Sequence, residues 1–335
     1  MLNILLNAIK IAFLLGFLIF IHESGHFLIA KLFKIKVCEF AIGFGPIIWE
    51  KQGKETKYVL RLIPLGGFVN LLGEEEASEE EGSYSKAPRW KRALILLAGG
   101  SVNIVFGLLV YFLLVTASGD YISTTIDKVV DNSVAQNIGL QAEDKILTAD
   151  GKKIRLKGDL DRVVEKGKEF ILEIDRKGEV LKINVTPEKD EETGMFFLGI
   201  MFKVSENSFK NNLYYGYWDT VGFAETVVIG IKDLFTGNVG IKQMAGPVGI
   251  SNIVAKTSNF EQYIYIIAVI SLSLGVTNLL PFPPLDGGKI LLLLIEAIIR
   301  KPINESINNT IQTAGFFILM ALAVVVTYND VLRIF

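Results

Sequence analysis

Two imidazoles and a carboxylate interrupt the apolar run "LLGFLIFIHESGHFLIAKLF", residues 14–33. His22, Glu23 and His26 form the pattern HExxH and include both histidines of the chain. In a helix, positions i and i+4 share one face about one turn apart, so both rings can reach one ion. Nitrogen donors of this kind suit tetrahedral Zn2+, and a zinc site that performs chemistry keeps one position for water. Zinc lowers the pKa of such a water to about 7. Glu23, beside the first ring, is placed to take a proton from that water and pass it to a leaving amine. The residue types therefore point to hydrolysis with one Zn2+ per chain.

Two rings leave such a centre one protein ligand short, and an Asp, a Glu or Cys38 must supply it. The second polar interruption of an apolar run is "LGVTNLLPFPPLDGGKILLLL", with Asn278, Pro281, Pro283, Pro284 and Asp286. Prolines cannot continue a regular helix, so the chain must break there and place Asp286 on irregular backbone. The loop charges described next put Asp286 at the same depth as the two rings, which makes it the expected third ligand.

Those residues need a membrane scaffold. The chain has 335 residues, half of them apolar, and a mean hydropathy of +0.42, beyond the range of ordinary soluble proteins. Four apolar runs, about 3–30, 93–116, 263–280 and 311–328, meet the ~20-residue requirement for a span. The first has only Lys10 as a basic residue and no small-x-small cleavage pattern, so it reads as an uncleaved span. Basic residues crowd the stretch from Lys31 to Arg92, and Lys289, Arg300 and Lys301 follow the third span. By the positive-inside rule these face the cytosol, with residues 119–260 and both termini outside. The expected class is a polytopic α-helical membrane protein in the inner (cytoplasmic) membrane, its active site towards the cytosol. A net charge of −2 gives no general attraction to nucleic acid, and the single cysteine, Cys38, excludes an intrachain disulfide.

Between the spans the pattern changes. Residues 36–70 alternate short Val-, Ile-, Phe- and Tyr-rich runs with Gly-containing turns, which predicts a β-hairpin or small sheet dipping into the bilayer boundary. The acidic run 73–83 reads as a solvated, flexible linker. Residues 119–205 read as an extracytoplasmic α+β domain, with strands at "TTIDKVV", "FILEIDR" and "EVLKINVTP". Its "SVAQNIGLQAEDKILTADG" stretch resembles PDZ domains of bacterial proteases. That resemblance implies a groove, between a strand edge and a helix at 159–164, for an extended peptide C-terminus. Residues 206–260 predict an amphipathic juxtamembrane region whose tyrosines and Trp218 suit an interface, either on the outer surface or against the spans. The catalytic membrane parts are then 1–118 and 261–335.

With HExxH in the first span and N-x-x-P-x-x-x-L-D-G in the third, the chain resembles the site-2 protease family of intramembrane zinc metalloproteases. The PDZ-like insert and "MAGPVGI", residues 244–250, make it similar to the bacterial RseP-type branch, with one PDZ-like module where some relatives have two. The resemblance implies zinc ligation by His22, His26 and Asp286, with Glu23 as general base. It also implies substrate-backbone contacts from Asn278 and from the β-loop at Gly43, Phe44 and Gly45, and a polar residue, Asn103, near the site. The implied substrates are single-pass membrane proteins already cut outside the cell, such as anti-sigma factors or remnant signal peptides. A PDZ-bearing scaffold or sensor with a structural metal, and a metal transporter, are the alternatives. A closed structural site would need a fourth ligand that the His and Cys inventory barely provides, and a transporter would need polar residues along more spans.

Overall fold

The computed structural model describes residues 2–74, 76, 78–119, 121–191, 194–237 and 245–334. Met244 of the MAGPVGI stretch and Glu75 and Ala77 of the acidic run lie outside them. The proline-free apolar N-terminal sequence forms one helix, α1 (Leu2–Leu32), which ends just before Lys34 takes a left-handed φ of 61°. Strands β1 (Val37–Gln52) and β2 (Lys57–Leu71) follow, then α2 (Arg89–Ser118). Next come β3 (Ile122–Val129), α3 (Val134–Asn137), β4 (Lys145–Ala149), β5 (Lys152–Lys153), α4 (Lys157–Val164), β6 (Phe170–Arg176) and β7 (Glu179–Val185). The chain continues through β8 (Glu188–Lys189), β9 (Phe196–Phe197), β10 (Ile200–Val204), α5 (Phe209–Thr236) and α6 (Pro247–Ala255). It closes with α7 (Phe260–Asn278), α8 (Asp286–Ile299) and α9 (Glu305–Ile334).

Among the described residues, four helical stretches are long and apolar enough to cross a membrane: Leu5–Leu32, Arg89–Ser118, Phe260–Asn278 and Glu305–Arg333. The shortest has 19 residues and is about 28 Å long at 1.5 Å per residue, close to the hydrocarbon thickness. The third span therefore stops at Asn278, two residues before the expected end, and the proline cluster lies wholly beyond it.

The chain divides into two compact units, one of residues up to Tyr111 together with those from Val227, the other Phe112–Thr226. In the first unit, β1 and β2 bend back on themselves. Phe40 pairs with both Tyr58 and Val69, and Ala41 with both Val59 and Phe68, so residues 39–42 lie between two stretches of β2. The tip beyond the bend leaves Phe44, Ile47, Ile48, Trp49 and Ile63 about half exposed, an apolar surface that suits lipid. Val37 and Leu71 at the base pack with Ala30, Tyr84 and Ile95.

The acidic run departs from the flexible linker that its composition predicts. Tyr84 N–H donates to Leu72 O at 2.7 Å, and Lys36 N–H to Gly82 O at 2.9 Å. Glu74 accepts from Lys289 Nζ at 3.0 Å. The pair between Tyr84 and Leu72 closes the two ends of the run, and Gly82 and Glu74 are tied to Lys36 and to Lys289 of α8, partners remote in sequence.

The second unit exceeds the expected 119–205 at both ends. Its sheet runs β10-β3-β4-β6-β7, with β5 attached to β4. Ile126, Ile146, Leu172, Ile174 and Val185 form its core, closed by Leu160 and Val164 of α4. The first part of α5 also belongs here: Tyr215 stacks on Tyr121 at 5.3 Å, the Arg155 guanidinium lies 3.8 Å from the Trp218 ring, and Arg162 pairs with Glu225 at 3.0 Å. Two of the aromatics expected at a membrane interface thus pack on the domain itself.

Asp144, with its side chain only 1% exposed, accepts two bonds from Arg176 at 2.7 Å and one from the Gln141 N–H at 2.8 Å. Burial pushes its carboxyl up, but the Arg176 guanidinium and the Gln141 amide outweigh that and hold it below the ordinary 3.8. A lowered carboxylate pKa stabilises the fold fully above the unfolded value and is lost as pH falls through the folded one. Asp144→Ala should destabilise this unit by about 3 kcal/mol, because it leaves a partly buried guanidinium without its counter-charge, with only the Gly139 carbonyl as partner. The check is hydrogen exchange of amides in 122–204 of the full-length protein in detergent near neutral pH, where protection should fall in the variant. Protection in the wild type should fall only below about pH 4.

Candidate metal centre

Each element of the centre is positioned by a local sequence rule. Helical spacing puts His22 and His26 on one face of α1, with their Nε2 atoms 3.2 Å apart. The proline-rich turn after α7 reverses the chain. Phe282 N–H bonds to Leu280 O, and Leu285 N–H to Phe282 O. Gly287 and Gly288 let α8 begin directly against this turn: a Cβ on Gly287 would lie 2.3 Å from the carbonyl oxygens of Leu279 and Leu280. Asp286 is the first residue of α8, where the helix dipole favours a negative charge. Its Oδ2 lies 3.2 Å from His22 Nε2 and 3.3 Å from His26 Nε2.

The three donor atoms form a nearly equilateral triangle, and this fits zinc. Tetrahedral Zn2+ with bonds of about 2.0–2.1 Å requires donor–donor distances of roughly 3.3–3.4 Å. The protonation pattern agrees. His26 Nδ1 faces the Ile95 carbonyl at 2.8 Å, which can only accept, so Nδ1 carries a hydrogen and Nε2 is the nitrogen whose lone pair the neutral ring offers to a metal. Asp286 Oδ2, also rich in electrons, is buried with no hydrogen-bond donor. One proton could bridge one nitrogen–oxygen gap, whereas a central cation satisfies all three atoms together.

Helix α2 supplies the wall behind the rings. Ile95, Gly99 and Asn103 recur at four-residue spacing and share one face. A Cβ on Gly99 would lie 2.3 Å from His26 Nε2 and 2.8 Å from His22 Cε1, so the rings lie against bare backbone. Asn103 is fully buried, with its amide nitrogen 3.5 Å from His22 Nδ1. Glu23 faces the sheet, and a Cβ on Gly67 would come within 3.3 Å of its Cγ.

The structure thus brings together His22, His26 and Asp286, each offering a donor atom within 4.8 Å of the others. Asn278, the last residue of α7, is half-buried and makes no hydrogen bond to these three among the described residues. Gly43 and Gly45, with φ of 87° and 82°, shape the bend of β1, where Phe44 packs its ring on Gly66. The sheet backbone lying against Glu23 belongs to Gly67 instead. Sequence reasoning missed Gly67, Gly99 and the Ile95 carbonyl. The doubled glycines of "LGGF" and "LAGGSVN" were the available signal.

A largely buried His-His-Asp donor set with an adjacent glutamate, two of its ligands on a helix of membrane-spanning length and the third just beyond the end of another, defines a membrane-embedded metallohydrolase. The chain belongs to peptidase family M50, whose sequence profile matches residues 10–322. It is 38% identical over 321 residues to a protein of Clostridium perfringens named "Putative zinc metalloprotease", covering 94% of this chain and 95% of that one. It is 29% identical to the regulator of sigma-W protease RasP of Bacillus subtilis, over 97% of this chain and 98% of that one. The chain also shows a likeness to the PDZ domain of an SdrC-like protein from Listeria monocytogenes at 16% identity and a TM-score of 0.22, covering 24% of this chain and 88% of that one.

Gly99→Ala should displace both imidazoles from the positions in which they meet Asp286, because a methyl at 2.3 Å cannot be accommodated. Metal analysis of detergent-purified protein should find far less than one equivalent bound, with helical circular dichroism unchanged.

Proposed function

We propose that this protein is an intramembrane zinc metalloprotease that cuts single-pass membrane proteins within or near their transmembrane segments, after a first cut outside the cell. The observation that carries this reading is the meeting of two imidazoles from one span with the carboxylate that follows the broken end of another. His22, His26 and Asp286 would hold the metal. Bound there, zinc supplies Lewis acidity for activating water and polarising the scissile carbonyl. The names of the relatives from Clostridium perfringens and Bacillus subtilis support a zinc-dependent protease and, for the latter, a role in sigma-factor regulation.

The chain's own residues carry the rest. Glu23 takes the proton from the attacking water and delivers it to the departing amine nitrogen. A helical substrate hides its peptide bonds in internal hydrogen bonds, so it must open locally, and each bond left unmade in lipid costs several kcal/mol. The sheet beside Glu23 offers strand pairing in exchange, helped by the bend at Gly43, Phe44 and Gly45, while Asn278 holds substrate backbone near Asp286. The positive-inside bias supports an active site towards the cytosol and the PDZ-like unit outside. In that unit β10 is an edge strand. A cavity of roughly 400 Å3 lies between β10 and α4, lined by Leu160, Val164, Phe197, Ile200 and Phe202. An extended peptide C-terminus is its assigned guest.

Glu23→Gln should keep one zinc per chain yet slow cleavage of a model transmembrane substrate by roughly 10²–10⁴-fold. Asp286→Ala should lose both zinc and activity. Cleavage by the Glu23 variant at the wild-type rate, or full zinc in the Asp286 variant, would remove the assigned role.

A further inference from the structure

Resting on the zinc reading above, we propose that Asn103 is a positioning residue that fixes the tautomer of His22, accepting the Nδ1 hydrogen with its amide oxygen so that Nε2 is bare for the metal. The two rings have different supports. His26 Nδ1 donates to the Ile95 carbonyl at 2.8 Å, a backbone acceptor that no substitution of residue 95 removes. His22 Nδ1 has the Asn103 amide alone as a hydrogen-bond partner among the described residues, at 3.5 Å.

The amide has two ends of nearly equal size, and chemistry decides between them. With Nδ2 towards His22, an NH2 faces the ring's Nδ1. Either it meets an N–H head-on, or it forces the hydrogen onto Nε2, where Asp286 and the metal must be. In that orientation Oδ1 is also buried without any partner. A half-turn of the amide presents Oδ1 to Nδ1–H and leaves Nε2 with its lone pair outward. One amide group lacks a partner either way, so the His22 side decides, and only the oxygen-facing form is compatible with ligation.

The Asn103 side chain is fully buried, and the backbone that carries it is held against α7. Its own carbonyl accepts from Ser271 Oγ at 2.9 Å. On the same helix, a Cβ on Gly100 would lie 2.9 Å from the Gly275 carbonyl, and one on Gly107 would lie 2.8 Å from the Ala268 carbonyl. Helix α2 is thereby locked against α7 with the amide facing the ring. Partners of metal-binding histidines that orient the ring typically change metal affinity by about 10–100-fold when removed.

The test uses full-length protein in detergent, loaded with zinc and challenged with a chelator, comparing wild type, Asn103→Leu, Asn103→Asp and His22→Ala. Thermal unfolding of the metal-stripped proteins is measured in parallel. Asn103→Leu should release zinc about 10–100-fold faster than wild type, with the stripped protein unfolding at the same temperature. Asn103→Asp, which keeps an acceptor oxygen, should hold zinc at least as well as wild type to within about threefold. Wild-type retention in Asn103→Leu, or loss in Asn103→Asp equal to that in Asn103→Leu, overturns the assignment. Should His22→Ala keep its zinc, the metal-centre reading itself fails, and the role of Asn103 with it.

Discussion

Asp286 Oδ2 and the Nε2 atoms of His22 and His26 turn electron pairs towards one another across 3.2–3.3 Å. Without a metal ion or a proton between them these groups would repel, and burial between apolar helices would magnify the repulsion. With one, the same low-dielectric surroundings strengthen each attraction and justify polar groups in a membrane helix. Much of the membrane unit follows from keeping this triangle intact. The third span must stop at Asn278 so that α8 can start at Asp286, and α2 must approach closely enough to wall in the rings.

Close approach explains the glycines of α2. In lipid, helices gain little from burying apolar side chains against one another, so small residues and backbone contact do most of the holding. Gly100 against Gly275 and Gly107 against Ala268 bring α2 onto α7, and Gly25 brings α1 onto the Ala98 carbonyl. The contact surface and the wall beside the rings are thus parts of one helix.

The features legible in the sequence were those whose chemistry restricts residue type and spacing together. HExxH on one helix face and an aspartate after a proline break admit few other readings, and the four spans follow from length and apolarity alone. Features that depend on distant partners were not legible. The acidic run "GEEEASEEEG" has the composition of a solvated linker, yet Glu74 meets Lys289, more than 200 residues away. Tyr215 and Trp218 have the amphipathic character of interfacial residues, but Tyr121 and Arg155 engage them. Gly99 was visible as a residue but not as the wall of a metal centre, since its role consists of an absent side chain beside groups on another helix.

The bare backbone at Gly99 also sets how stiff the centre is. A Cβ there would lie against His26 Nε2 and His22 Cε1, so the rings meet main-chain atoms, which cannot rotate aside as a side chain would. Rigidity of the two imidazoles therefore comes from the main chain of a neighbouring helix as well as from the helix that carries them.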